Sequence, residues 1–436
     1  MNEPHPDKRE TATEASPGEA GLPRGEPEPI LAGPQAAGKL FLVRYSEIGL
    51  KGGNRGYFEG RLARNIGETA HGLGIERVSR IRGRLLVWHS GERTSALAAR
   101  LADTPGVRTF SAARLLGSAS YEAIEAAALE LVSERLRRTP RPRTFAVATE
   151  RSFKAFPLRS MEVSARVGAA VLRLAPDLKV RLGEPDFTIG IEIGRERSFV
   201  FGEYLEGPGG LPVGSSGRVV LLLSGGIDSP VAGWLLQKRG CEVAPLYFHA
   251  SPFTGDAAKK KVIDLAALLA RRQPVLELRI AQLAGAQVLI RDHCRADLLV
   301  VLYRRMMVRV AERIAERIGA LALATGESIG QVASQTLPNL AVIDEVARRP
   351  ILRPLATYDK EETIRLAERL KTFEISVRPA EDSCRLFVPA HPATHASPDE
   401  VAREEAKLAL DPLADEIAAK AELLRFHRGE RSTTSH

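Results

Sequence analysis

The run "VVLLLSGGIDSPVAGWLL", Val219–Leu236, decides the fold of this chain. Consecutive aliphatic residues lead into Ser-Gly-Gly-Ile-Asp-Ser, and apolar positions then recur at helical spacing, which predicts a buried strand, a tight turn and a helix from Asp228. In an open parallel sheet, ligands sit beyond the carboxyl ends of the strands, and Ser224–Ser229 lies at such an end. Gly225 and Gly226 let backbone amides approach a ligand closely, the helix N-terminus adds partial positive charge, and Ser224 and Ser229 add hydroxyls. The expected occupant is a phosphate or pyrophosphate. Neither GxxxxGK[ST] nor GxGxxG is present, so the turn is neither a Walker loop nor a dinucleotide fingerprint. Asp228 would repel a bare phosphate, which implies a divalent cation between them, Mg²⁺ with Asp228 as its ligand.

Downstream, strands and helices alternate. "CEVAPLYFHA" precedes a helix near 257–271, "PVLELRI" follows, and the long helix "DLLVVLYRRMMVRVAERIAERIG" leads to "ALALATGE". This alternation predicts an α/β domain with a doubly wound, mostly parallel sheet over residues 218–397, closed by a helical tail, 398–436. Upstream, "EGPGGLPVGSSGR" reads as a Gly/Pro/Ser linker, 206–217.

Two smaller α+β units precede the linker. Residues 39–100 contain a strand, the turn "SEIGLKGGNR", a helix from about Arg55 and a strand pair in "RVSRIRGRLLVWHS". The turn brings amides beside Lys51 and Arg55, either as a phosphate contact or as an ordinary strand-to-helix turn. Residues 101–205 carry the helix "YEAIEAAALELVSERLRR", the strand "TFAVATERS", a helix for which Ser160 is the expected N-cap, and two antiparallel strands around Gly-Arg-Glu-Arg. Arg141, Arg143, Arg151, Lys154 and Arg159 gather near the loop after "TFAVATERS", with Phe153 and Phe156 interleaved. That mix suits RNA backbone contact with base stacking, or the two Phe belong to the core. Residues 1–38, rich in Pro, Gly, Glu and Ala, cannot bury enough surface to offset their ordering entropy and read as a disordered tail.

Charge follows this division. Residues 1–38 carry 3 basic and 7 acidic side chains, 39–205 carry 28 and 18, and 206–436 carry 31 and 29. The positive excess sits ahead of the sheet domain, as in a polyanion-binding half joined to a catalytic half, or as solvated faces of an Arg-rich chain. No run reaches the roughly 18 apolar residues of a membrane span, and the polar start has no signal-peptide core. Three cysteines, Cys241, Cys294 and Cys384, without CxxC spacing, point to a reducing, cytoplasmic setting with no disulfide framework.

The SGGIDS turn resembles the pyrophosphatase loop of the ATP-pyrophosphatases. Together with "RRMMVRVAERIAERIGALALATGESIGQVASQTLPNL", "ILRPLATYDKEE" and "EDSC", it is similar to the tRNA 4-thiouridine synthetases, the tRNA uracil 4-sulfurtransferases, from about Lys39 onward. The resemblance makes 39–100 a ferredoxin-like unit, 101–205 a THUMP RNA-binding unit and 218–397 the ATP-pyrophosphatase (PP-loop) domain. It implies ATP contacts from Leu222, Leu223, Ser224, Gly225, Gly226, Asp228, Ser229, Arg304 (where the family usually has Lys), Gly326 and Gln335. It implies catalytic roles for Asp228, Lys360 and Cys384. Singly, Gly326 also reads as a turn glycine, Lys360 as a first-turn residue behind an Asp359–Glu362 cap, and Cys384 as an inert thiol.

The implied reaction adenylates O4 of a tRNA uridine, position 8 by resemblance, with ATP and Mg²⁺. A persulfide sulfur then displaces AMP to give 4-thiouridine. The tRNA contact candidates are Lys51, Arg55, Arg141, Arg143, Arg151 and Lys154. Long family members append a rhodanese domain; this chain stops at His436, so sulfur is expected from a cysteine desulfurase or another persulfide donor, with a sulfur-carrier protein as a further partner. Cys384 is then the persulfide bearer or the resolving thiol. The resemblance also implies sulfur supply for the thiamine thiazole and is compatible with a homodimer. The competing readings are another PP-loop tRNA thiolase, a small-molecule amide synthetase and a non-catalytic tRNA-binding adaptor.

Overall fold

The computed structural model describes residues 39–117, 120–380 and 388–432. The expected disordered tail, 1–38, and Cys384 lie outside the described residues. Strand β1 (Lys39–Arg44) buries every residue after Lys39, so both of its faces need cover and it lies inside a sheet. Helix α1 (Arg55–Thr69) follows, then the hairpin of β2 (Ile75–Ile81) and β3 (Arg84–His89), α2 (Thr94–Leu101) and β4 (Thr109–Leu116). The next stretch comprises α3 (Tyr121–Leu136), β5 (Thr144–Arg151), α4 (Ser160–Leu174), β6 (Lys179–Val180), β7 (Phe187–Ile193), β8 (Ser198–Phe201) and β9 (Leu205–Glu206).

The sequence suggests two units meeting near residue 100, but the strands make one sheet in the order β2-β3-β1-β4-β8-β7-β5-β6, with β9 also on β4. Strand β4 pairs with β1 along one edge and with β8 along the other. Arg44 sits at this joint, 3.0 Å from the Glu192 carboxylate and 3.1 Å from the Ser111 hydroxyl, with its guanidinium 4.3 Å from the Phe201 ring centre and 4.7 Å from that of Tyr204. A buried cation is tolerable there because partners surround it. Helix α4 differs from expectation by one position. Arg159 is its N-cap, because the Glu162 carboxylate accepts the Arg159 amide at 2.6 Å, and Ser160 is the first helical residue.

The stretch read as a linker is packed. Leu211 and Val213 are buried, and the Asn65 side chain donates to the Val213 carbonyl at 3.0 Å. Beyond it run β10 (Arg218–Leu222), α5 (Asp228–Lys238), β11 (Glu242–His249), α6 (Asp256–Ala270), β12 (Val275–Gln282), α7 (Ala284–His293), α8 (Leu299–Arg317) and β13 (Ala322–Ala324). Next come α9 (Leu337–Asp344), β14 (Ile351–Leu352), α10 (Lys360–Arg369), α11 (Phe373–Ser376), α12 (Pro398–Glu405), α13 (Leu410–Ala419), β15 (Glu422–His427) and β16 (Glu430–Arg431). The sheet order is β14-β13-β10-β11-β12-β15-β16, parallel from β14 to β12. Along β10, Val219, Leu221 and Leu223 pack with the α5, α6 and α10 side, while Val220 packs with α7, α8 and α13. The sheet is doubly wound, as the alternation predicts.

The tail corrects one expectation. Two helices, α12 and α13, open it, but β15 returns to the sheet antiparallel to β12. Leu424 and Phe426 are buried and alternate with exposed neighbours, the two-residue period of a strand. The two halves are tied by a buried ion pair, Arg272 with Asp103 at 2.7 Å, and by Arg239 with Glu47 at 2.8 Å. No described helix is long and apolar enough to cross a membrane.

Candidate active site

Strand order reverses at β10, with β11 on one side and β13 on the other, so a crevice opens beyond Leu222. The SGGIDS turn stands there, and Asp228 is the first residue of α5. Both serine hydroxyls hold the turn itself. Ser229 Oγ accepts the Ser224 amide at 2.9 Å, and Ser224 Oγ accepts the Gly226 amide at 3.2 Å. The Ser376 hydroxyl, from α11, donates to the Gly226 carbonyl at 3.2 Å.

Lys360 reaches this turn from another element. As first residue of α10 it follows the capping box of Asp359 and Glu362 that the sequence suggests, and its ammonium lies 2.8 and 3.1 Å from the two Asp228 oxygens. The side-chain amide of Gln331 approaches Asp228 at 3.5 Å. Lys360 is therefore a first-turn residue whose ammonium also pairs with the turn carboxylate.

Gly326 follows β13 and lies against the start of α5. A Cβ built there would stand 2.6 Å from the Ser229 nitrogen and 2.8 Å from the Asp228 carbonyl carbon, so only glycine fits without moving the turn. Gly326→Ala should weaken ATP binding by at least tenfold and lower stability by about 1–3 kcal/mol, the usual cost of overpacking. Calorimetric titration with ATP and thermal unfolding check this; an unchanged Kd would detach Gly326 from the site.

The cleft beyond the turn encloses about 1000 Å³, the upper end of small-molecule sites, and is lined by the turn, Lys360, Arg304, Tyr303 and Gln335 among others. Two buried polar atoms facing it, Gln335 Oε1 and the Tyr303 hydroxyl, have no hydrogen-bond partner among the described residues. Groups of this kind await a ligand or water. Burial pushes the Tyr303 phenol up to about 12, so it stays protonated. Leu223 is buried and its amide donates to the Leu246 carbonyl at 2.9 Å, while Leu222 is half-buried, so the strand end flanks the crevice. Among the described residues no cluster of three His, Cys, Asp or Glu side chains could hold a metal. Among the described residues Asp228 is the carboxylate at the turn, so a divalent cation there would have to share it with the phosphates of a ligand.

The described cysteines do not suit thiolate chemistry. Burial pushes both the Cys241 and Cys294 thiols up, and Cys294 donates to the Glu404 carbonyl at 3.6 Å.

The RNA candidates divide into different kinds. Arg151 donates to the carbonyls of Lys154, Phe156 and Leu158, at 3.2, 2.9 and 3.2 Å, and so shapes its loop from within. Phe156 is core. Arg141, exposed and 2.9 Å from Asp177, and Arg143 line one surface depression with Arg135, while Lys154 is exposed nearby in sequence. Arg55, by contrast, is held by Glu59 and the Tyr45 hydroxyl at 2.8 Å each, and the Lys51 ammonium lies 5.2 Å from the Phe58 ring centre.

Sequence reasoning missed Gln331, Ser376, Tyr303 and Glu327. The first three have no local signature, because only the fold brings Gln331 and Ser376 to the turn and Tyr303 to the cleft wall. Glu327 stands beside Gly326 within "TGES", where a signal was available.

A glycine turn with a helix-starting aspartate at the switch point of a doubly wound sheet defines a PP-loop nucleotide-binding domain, here behind an α+β half. Residues 214–410 match the family described as Thiamine biosynthesis protein (ThiI), residues 40–111 the ThiI ferredoxin-like domain, and residues 118–202 the THUMP domain. A "probable tRNA sulfurtransferase" of Halothermothrix orenii is 42% identical over 398 residues, 90% of this chain and 100% of that protein. The corresponding protein of Brevibacillus brevis is 40% identical over 396 residues, 91% and 98% of the two chains. The crystal structure of a 4-thiouridine synthetase–RNA complex with bound ATP superposes with a TM-score of 0.82 at 38% identity, covering 89% of this chain and 100% of that one. The chain belongs to the tRNA sulfurtransferase family.

Proposed function

We propose that this protein is an ATP-dependent tRNA sulfurtransferase that converts a uridine of tRNA, at position 8, into 4-thiouridine. The observation that carries the reading is the pairing of Asp228, on the PP-loop turn, with Lys360 of α10 at 2.8 Å, beside a cleft in which two buried polar atoms have no partner among the described residues. ATP would lie with its phosphates at the SGGIDS turn and its nucleoside toward Arg304 and Gln335. O4 of the uridine attacks the α-phosphorus and pyrophosphate leaves, which turns O4 into a leaving group. Lys360 is placed to neutralise charge developing on the phosphates, with the α5 N-terminus behind it. Mg²⁺, held by Asp228, would add charge neutralisation on the departing pyrophosphate.

In the second step a persulfide sulfur bonds to C4 as AMP departs. The S–S bond is then cleaved by a second thiol; since Cys241 and Cys294 are unsuited, Cys384 and a thiol of the sulfur donor divide the two roles, and each turnover leaves a disulfide between them for an external thiol to reduce. Cys384, from the family resemblance, is the bearer or the resolving thiol, and a cysteine desulfurase or other persulfide donor supplies the sulfur in a cytoplasmic setting. Sulfur for the thiamine thiazole would draw on the same persulfide. Arg141 and Arg143, just before β5, and Lys154, beyond its far end, are the cations offered to the RNA backbone.

The test combines the protein with unmodified tRNA transcript, ATP–Mg²⁺, a cysteine desulfurase and cysteine, and follows the near-ultraviolet absorbance of 4-thiouridine. Product that requires ATP supports the reading. Absence of product, with free sulfide supplied as well, would leave a tRNA-binding adaptor.

A further inference from the structure

Glu327 is buried, 4% exposed, at the far end of the segment whose Gly326 touches the turn. Its carboxylate is the centre of a network. Arg304 of α8 donates to Oε1; Arg353 and the Thr325 hydroxyl each donate to Oε2 at 2.8 Å. Arg353 is in turn gripped by both Asp344 oxygens, at 2.6 and 2.9 Å. Three partners therefore fix the carboxylate. Arg304 differs from the rest of the network: its side chain is 25% exposed and lines the cleft, whereas those of Glu327 and Arg353 are 5% and 13% exposed.

A long guanidinium side chain on an open wall would sample many rotamers, and ordering it on a ligand costs affinity. One arm of Arg304 is anchored on Glu327, and among the described residues the other donors of the planar fork have no partner. We propose that Glu327 is a positioning residue for nucleotide binding: it holds the Arg304 guanidinium preset at the cleft wall while Gly326 sets the adjoining turn. "TGES" then couples two parts of the site through consecutive residues. The inference rests on the reading that ATP occupies this cleft.

Glu327→Gln keeps the shape and one acceptor but removes the charge. The expected result is an ATP Kd about tenfold weaker, the worth of one charge-assisted hydrogen bond, with thermal unfolding of the ligand-free protein shifted by only a few degrees. Arg304→Ala should weaken ATP binding comparably, and the double variant should be no weaker than Arg304→Ala alone, because both remove one interaction. A purely structural carboxylate would instead give additive losses in the double variant. Simple electrostatics also predicts the opposite sign, since removing a negative charge beside the cleft would tighten ATP. Additive losses, or an unchanged or tighter Kd for Glu327→Gln, overturn the proposal. If Glu327→Gln does not fold, Glu327→Asp, which retracts the carboxylate by one methylene, is read by the same cycle. Failure of the unsubstituted protein to bind ATP would overturn the ATP reading itself; normal binding indifferent to Glu327 would overturn only this inference.

Discussion

Asp228→Asn should lower the rate of 4-thiouridine formation by roughly a thousandfold, the scale of removing one preorganised charge contact from a transition state, while tRNA affinity stays the same. The amide preserves the shape of the first turn of α5. It removes the charge that holds the Lys360 ammonium at 2.8 Å and the one carboxylate on the turn available to a phosphate-bound cation. Lys360 would then be free to settle on ground-state phosphate, so ATP binding persists as turnover collapses. Single-turnover thiolation with saturating ATP and tRNA, beside filter binding of tRNA, separates these effects. A loss below tenfold would remove Asp228 from the chemistry.

The second large effect concerns sulfur. Cys384→Ser should abolish 4-thiouridine while tRNA-dependent release of pyrophosphate continues. In the proposed mechanism adenylation draws on the turn, Lys360 and the bound RNA, none of which needs a thiol. A serine hydroxyl cannot carry persulfide sulfur, and it resolves an S–S bond poorly because it is not ionised near neutral pH. The two substitutions thus divide the reaction, one failing before pyrophosphate departs and the other after. Measuring pyrophosphate and thiolated tRNA from the same sample reads both. Thiolated product from Cys384→Ser would move the sulfur chemistry wholly onto the donor.

The legible parts of this molecule were those with local signatures. Aliphatic runs ending in glycine turns revealed the parallel strands, and Asp359 with Glu362 three positions on revealed the start of α10. What escaped depends on which segment meets which. The period-two pattern of 422–427 is short and follows two helices, and nothing near it shows that β12 lies waiting for a partner. Arg151 reads as an RNA contact because its neighbours are basic; that one of its guanidinium nitrogens also serves three carbonyls of its own loop is visible only in the fold. Gln331 and Ser376 carry no motif and reach the turn from 103 and 150 residues away. Likewise, the spacing of Lys360 showed a helix cap, while its placement on Asp228 exists only in three dimensions.

Strand β4 belongs to both parts of the first half, bonded to β1 on one side and β8 on the other. Dividing the chain on either side of it would leave one piece with a raw strand edge, an invitation to intermolecular pairing. The RNA-facing half is therefore not two interchangeable modules. Chimeras between relatives should carry residues 39–206 as a block, and drift at one end of the nine-stranded sheet must be matched by compensating change across the seam at Arg44 and Glu192.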